Sequence, residues 1–190
     1  MEAPLHLARL CSLALALSFV CATSLPAQDL PSPESLLAGA DEQGALMNQY
    51  RDILRNPDPD IRHSAFTKLA VVEDPLVRQM AFDEGFSAAD ATMRMLALRY
   101  SLFDRDAILV EFPGTDLPPQ AYRLIERDYS NGEFVAQSGS RRPGRVQGLQ
   151  VVIEYNQCIL ELVLNDDDAL VGEQICTDQR LPIEVNLRGM

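Results

Sequence analysis

The sequence is short of long apolar runs, and this absence argues against a membrane protein. Its longest such run extends from Leu10 to Ala22 and has 13 residues. A helix needs roughly 20 apolar residues to cross a bilayer. We therefore expect no stable membrane insertion.

Positive charge is also scarce. The 190 residues include 16 lysines and arginines against 28 aspartates and glutamates, so the formal net charge is −12. Proteins that bind nucleic acid or anionic lipid need lysine and arginine to neutralise phosphates. Nucleic acid is therefore not an expected partner.

Histidine is rare, which restricts the possible chemistry. His63 is the only histidine beyond the first 27 residues, and no His/Cys cluster has metal-ligand spacing. No Gly-rich phosphate loop and no nucleophile elbow is present. We expect no metal and no cofactor. The abundant carboxylates leave a two-carboxylate hydrolase open as an alternative.

The beginning of the chain has the pattern of a secretory signal peptide. Arg9 precedes the apolar run, and small residues and a proline follow it up to Ala27. The pattern predicts a signal peptide over residues 1–27, with cleavage after Ala22 as an alternative. Residues 28–34 then form an extended lead-in. The protein is expected to be exported to the periplasm or the cell exterior.

A nine-residue pattern recurs every 16 residues in the first half. Its copies are Asp58–Phe66, Asp74–Phe82 and Asp90–Leu98. Each begins with aspartate, an N-cap residue, and the first two continue with proline, which fits the first helical position. An arginine and an alanine follow at fixed positions. The arginine could reach a neighbouring cap, and the alanine lets helices approach closely.

The pattern resembles HEAT-like repeats, in which an Asp-Pro-x-Val-Arg-x-x-Ala stretch begins a helix. The resemblance covers residues 58–98, and it implies a short stack of helices, an architecture that commonly binds proteins. We predict a helical repeat domain over residues 35–104, with an ordinary antiparallel helical bundle as the alternative.

From residue 105 onward the pattern changes to short β-like runs separated by turn residues. We predict a β-rich domain over residues 105–190, with a small antiparallel sheet, sandwich or half-barrel. Residues 120–128 are expected to form a short helix or turn, and residues 138–144 a turn. The whole chain is then an α+β protein.

Two cysteines, Cys158 and Cys176, lie beyond the predicted signal peptide, and paired cysteines are typical of exported chains. A five-residue hairpin loop over residues 165–169 would place them directly opposite each other on adjacent strands. Antiparallel neighbours at such positions lie within disulfide reach. The sequence therefore predicts one disulfide between them.

Three arginines, Arg141, Arg142 and Arg145, form the one basic cluster in this acidic chain. Guanidinium groups bind carboxylates and phosphates through paired hydrogen bonds. The cluster is our candidate contact for an anion or a partner, and an ordinary charged loop between strands is the alternative.

The functional hypothesis combines these observations. A helical repeat without a recognisable catalytic constellation favours an exported, non-catalytic protein-binding or scaffold module whose partner is another protein. The alternative is a small secreted or periplasmic hydrolase or inhibitor that uses the β-rich half.

Processing of the signal peptide has a direct test. The protein purified from its native source should begin near Gln28, because small residues and a proline precede that position. N-terminal sequencing or intact mass measurement gives the answer. Recovery of chains that retain Met1 would contradict the prediction.

Overall fold

The computed structural model describes residues 32–187, in which four helices precede eight strands. The helices are α1 (Pro33–Leu54), α2 (Pro59–Leu69), α3 (Pro75–Phe86) and α4 (Ala91–Phe103). The strands are β1 (Ala107–Val110), β2 (Gln120–Arg127), β3 (Glu133–Ser138), β4 (Ser140–Gln147), β5 (Gln150–Tyr155), β6 (Cys158–Leu164), β7 (Ala169–Cys176) and β8 (Gln179–Asn186). This arrangement confirms the α+β class.

Aspartate caps begin the three repeat helices, as the pattern predicts. The side chains of Asp58, Asp74 and Asp90 each accept a hydrogen bond from a backbone N–H of the following turn. Ser32 caps α1 in the same way, so this helix begins at Pro33. The predicted lead-in therefore extends too far at its end, because a proline after a serine cap starts a helix. The rest of the lead-in and the predicted signal peptide lie outside the described residues.

Two of the three repeat arginines bind the loops that precede their own helices, whereas the third, Arg94, donates to the carbonyl of Asn165 at 3.4 Å. Arg62 Nη1 donates to the carbonyls of residues 56 and 57 at 2.7 and 3.0 Å. Arg78 Nη1 donates in the same register to those of residues 72 and 73. The second arm of Arg62 reaches the cap Asp90 at 2.9 Å, two helices further on. One guanidinium thus joins a helix, its entry loop and a neighbouring cap.

The helices enclose a core in which small residues allow close contact. Phe66, Ala81, Met93 and Ala97 are almost completely buried there. A Cβ added to Gly85 of α3 would lie 2.7 Å from the Cβ of Ala97 on α4. Helices α3 and α4 therefore pack through small side chains at the repeat alanine, as predicted.

The eight strands form one antiparallel meander in chain order. The sheet curls into a near-barrel, and its first and last strands meet at a bridge where Glu111 and Glu184 exchange two backbone hydrogen bonds. Pro182 lies two residues before the bridge on β8, with its N–H-free nitrogen towards the seam. Proline on an edge strand discourages pairing with another chain.

Two strands differ from the predictions. Residues 120–128 were predicted as a short helix or turn, but Gln120–Arg127 form β2, in which Tyr122 and Leu124 point inward. Residues 138–144 were predicted as a turn, but the turn is confined to Gly139, which has a positive φ of 76°, and β4 begins at Ser140. Pairing with neighbouring strands prevails over local turn preference at both places.

Helix α4 contributes to both halves of the molecule. Its Leu98, Leu102 and Phe103 are completely buried in the interior of the curled sheet, among side chains from every strand. Its Met93 and Ala97 face the helical core. No helix within residues 32–187 is both long and apolar enough to cross a membrane.

The predicted cysteine pairing and register are confirmed. Cys158 pairs with Cys176 and Leu164 with Leu170 across β6 and β7, and the two cysteines form a disulfide with their Cα atoms 4.1 Å apart. The same register places Glu161 opposite Glu173 on the outer face, where Arg180 donates to Glu173 at 2.9 Å. This contact offsets part of the like-charge repulsion.

The cap Asp90 should make stability depend on pH. Hydrogen bonds from Arg62 and His63 hold the pKa of this carboxyl well below its usual range, with Arg62 the largest cause. The contribution of the ionised Asp90 to the free energy of unfolding is therefore complete above about pH 4. This contribution is lost as the pH falls towards the lowered pKa. Asp90→Asn should reduce the free energy of unfolding by about 1 to 2 kcal/mol at neutral pH, and the difference from wild type should shrink below about pH 4.

Urea unfolding of the wild type and the variant across pH measures this effect. Asp58→Asn is the matched control, because Asp58 also caps a helix but accepts only a backbone hydrogen bond. Asparagine retains the cap, so the control should stay close to wild type at every pH. Equal losses in both variants would show that capping, not the Arg62 contact, supplies the stability.

The disulfide should stabilise the sheet without being required for the helices. It closes a loop with a sequence separation of 18 residues, for which the chain-entropy model gives roughly 3 kcal/mol. Reduction, or the double variant Cys158→Ser/Cys176→Ser, should lower the midpoint of thermal unfolding while the helical circular dichroism persists at room temperature. Mass spectrometry of the alkylated, unreduced protein checks the bond, and two alkylated thiols would contradict it.

Candidate functional site

The three arginines predicted to contact a partner lie on β4 and not on a loop. Their side chains alternate between the two faces of the strand: Arg141 and Arg145 are exposed on the outer face, and Arg142 is buried in the interior, 6% exposed. Successive residues of a strand point to opposite faces. The three guanidiniums therefore do not form one cluster.

Arg142 belongs to a polar group inside the curled sheet. Its Nη1 donates to the Tyr122 hydroxyl at 3.0 Å, its Nη2 donates to the carbonyl of Ser138 at 3.0 Å, and its guanidinium lies 5.0 Å from the centre of the Tyr122 ring. The Tyr122 hydroxyl in turn donates to Gln120. These contacts hold β2, β3 and β4 together, so we assign Arg142 a structural role.

Arg145 instead lines a concave region on the outside of β2 to β5, which we call the outer groove. It encloses about 490 Å³. Val135, Pro143 and Val152 form an apolar part of its lining, and Val135 and Pro143 are direct partners on adjacent strands. The register shift in β2 between residues 124 and 126 lies along one side of the groove. Such a bulge bends a strand locally.

A glycine–aromatic pair supports the floor of the outer groove from within. Gly144 lies opposite Phe134 across β3 and β4, and a Cβ on Gly144 would come within 2.4 Å of the Phe134 ring. The missing side chain leaves room for the end of the ring against the inner side of β4. The floor is therefore backed by the packed interior and is rigid.

Charged side chains surround this apolar floor, and carboxylates outnumber guanidiniums four to one. The carboxylates are Glu126, Asp128, Glu133 and Glu154, and the guanidinium is that of Arg145, because the guanidinium of Arg127 instead donates to the carbonyls of residues 105 and 124. Glu154 lies 3.7 Å from Arg145, and Glu126 forms an ion pair with Arg141 beside the groove. These exposed pairs stabilise the folded chain very little, because surface ion pairs are screened by solvent.

The carboxyl group of Asp128 has a shifted pKa, which indicates its ionisation state in the outer groove. Hydrogen bonds from the hydroxyl and the backbone N–H of Ser130 lower the pKa of its carboxyl. Asp128 therefore stays ionised at neutral pH and accepts hydrogen bonds. A general acid needs the opposite shift, a pKa raised towards the working pH, so this carboxylate suits recognition better than proton donation.

The described residues contain no group of three or more His, Cys, Asp or Glu side chains arranged to hold a metal ion. His63, the only histidine beyond the first 27 residues, lies 2.7 Å from Asp90 in the helical half. It forms part of the cap of α4. The groove and this histidine are on different elements of the fold.

The sequence alone did not identify the carboxylates of the groove. They belong to β2, β3, β5 and the turn after β2, and only the pairing of these strands brings them beside Arg145. Glu154, the single charged residue of β5, was a usable signal, but placing it beside Arg145 required the register of β4, which was predicted in part as a turn.

Comparisons with known proteins add no constraint on the site. No protein-family model, no curated protein and no solved structure matches this chain. The resemblance of residues 58–98 to HEAT-like repeats therefore stays a prediction, although three capped helices in one phase are present.

Proposed function

We propose that this chain is an exported, non-catalytic binding module that recognises another protein through the outer groove. The observation that carries the proposal is the composition of the groove: an apolar floor surrounded by four carboxylates and the guanidinium of Arg145 on a rigid sheet. Protein interfaces combine an apolar centre with a polar rim in this way.

The charge of the groove indicates the chemistry of the partner. Carboxylates are in excess, so the complementary surface presents lysine or arginine next to apolar side chains. The whole chain carries a formal charge of −12, and a field of this sign speeds the approach of a basic partner. The predicted anion contact through Arg141 and Arg145 is then a secondary feature, in which these arginines meet carboxylates of the same partner.

Export is part of the proposal. Its support is the signal-peptide pattern of residues 1–27 together with the disulfide between Cys158 and Cys176. Structural disulfides persist in oxidising compartments such as the periplasm and the cell exterior.

A reversal of charge in the groove tests the proposal. We expect immobilised wild-type protein to retain specific proteins from the exported fraction of its native source. The variant Glu133→Lys/Glu154→Lys should retain at least tenfold less, because two attractive carboxylates become repulsive ammonium groups. Quantitative mass spectrometry of the eluates, at low and at high salt, gives the measurement.

The matched control is Asp41→Lys/Glu42→Lys, which makes the same change of charge on the exposed surface of α1. It should retain the same proteins as wild type. Equal loss in both variants would show that only net charge matters and would contradict the groove. Turnover in a panel of hydrolase substrates that the groove variant abolishes would favour the alternative, a small hydrolase.

A further inference from the structure

A second cavity lies at the end of the curled sheet away from α4, where the chain passes from β1 to β2 beside the β7–β8 hairpin. It encloses about 330 Å³. Its apolar walls are Phe112, Leu117, Pro118, Pro119 and Leu181. We call it the mouth pocket. It shares no lining residue with the outer groove.

The loop that forms one wall of the mouth pocket is held in shape by its own hydrogen bonds. The backbone N–H and the hydroxyl of Thr115 both donate to the carbonyl of Phe112, at 3.2 and 2.9 Å. The N–H of Leu117 donates to the Thr115 hydroxyl at 3.2 Å. Pro118 and Pro119 then fix the backbone before β2 begins. A pocket with a prepared wall loses little conformational entropy when a ligand binds.

Two glutamine side chains form the polar part of the lining, and they differ in whether their hydrogen-bonding groups have partners. Gln120 is satisfied, because its Oε1 accepts from the Tyr122 hydroxyl at 2.9 Å and its Nε2 donates to the Ser138 hydroxyl at 2.8 Å. Gln174 Nε2 makes a weak contact with Cys176 Sγ at 3.5 Å. Gln174 Oε1 is buried and has no hydrogen-bond partner among the described residues.

A buried acceptor without a partner is unfavourable, and native proteins contain few of them. The two prolines of the wall have no N–H that could serve Gln174. Gln174 lines the cavity, and the terminal torsion of a glutamine has a broad energy profile, so rotation about this bond can present Oε1 to a molecule in the cavity. The mouth pocket therefore offers an apolar enclosure with one acceptor.

We propose that the mouth pocket binds a small, uncharged, largely apolar molecule that donates one N–H or O–H group to Gln174 Oε1. Charged ligands are disfavoured, because no charged side chain lines this cavity and a desolvated charge would have no counter-charge. Cavities at the mouths of curled sheets are frequent ligand sites. This activity is separate from protein recognition at the outer groove.

The test uses two probes of nearly the same shape. N-phenyl-1-naphthylamine is uncharged, has one N–H donor and becomes fluorescent in apolar surroundings. In 1-phenoxynaphthalene an ether oxygen replaces that N–H. Titration of the purified protein, without lipid or detergent, should give saturable fluorescence with one site. Displacement by the ether should show a dissociation constant about tenfold higher than that of the amine, since the ether leaves Gln174 unsatisfied.

Two variants and one control variant locate the site. Leu181→Trp fills the cavity and should abolish the fluorescence, whereas Val163→Trp, on the exposed outer face of β6, should leave it unchanged. Gln174→Leu should make the amine and the ether bind equally well. The same variant should unfold at or above the wild-type temperature, because it removes a buried acceptor without a partner, and this result also shows that it folds.

Three results would overturn the proposal. They are an absence of saturable fluorescence, undiminished binding in folded Leu181→Trp, and equal affinity of the wild type for the amine and the ether. None of them affects the outer groove, whose own test uses different residues and a different readout.

Discussion

Helix α4 lies with one side against α2 and α3 and with its last turns inside the curled sheet, and this packing joins the two halves. Leu98, Leu102 and Phe103 are completely buried among strand side chains, while Met93 and Ala97 complete the helical core. Without α4 one end of the near-barrel would expose its interior, and α3 would lose the helix against which its Gly85 packs. The protein therefore behaves as one packed body built from two kinds of layer.

Arginine side chains stabilise much of this arrangement by donating hydrogen bonds to backbone carbonyls. The sequence has 16 basic residues, of which Lys68 is the single lysine. Within residues 32–187, seven arginines donate to main-chain oxygens: Arg62, Arg78, Arg94, Arg99, Arg105, Arg127 and Arg142. A guanidinium has five donors in a planar fork and can serve several carbonyls at once, whereas a lysine ammonium is strongly hydrated and costly to bury. This difference is a physical reason for arginine where turns meet helices and strands.

The two proposed binding regions lie at two different places on the same sheet. Outward side chains of β3 to β5 give the outer groove its apolar floor and charged rim. The mouth pocket instead opens at the end of the near-barrel that α4 does not occupy. Because the interior between them is filled by packed side chains, both regions have rigid support. Such support favours sites that bind without a large rearrangement.

Several features were determined by the sequence itself because they depend on neighbours along the chain. Aspartate caps with a following proline located the starts of α2 and α3, and the equal distances of Cys158 and Cys176 from their hairpin predicted the pairing. The α+β class followed from the change in pattern near residue 105. These signals are local, since caps and hairpin registers involve contacts within a few residues of a turn.

The remaining strands and the positions of the site residues depend on the tertiary structure alone. Residues of β2 and β4 have weak or turn-like local preferences, and they become strands because each is paired on both sides within the sheet. The same pairing sends Arg142 inward while Arg145 joins Glu154 on the outside. It also gathers the carboxylates of the groove from separate strands and leaves Gln174 Oε1 at the mouth pocket. Contacts between residues distant in sequence have no periodic signal in a single chain, so only the folded sheet reveals them.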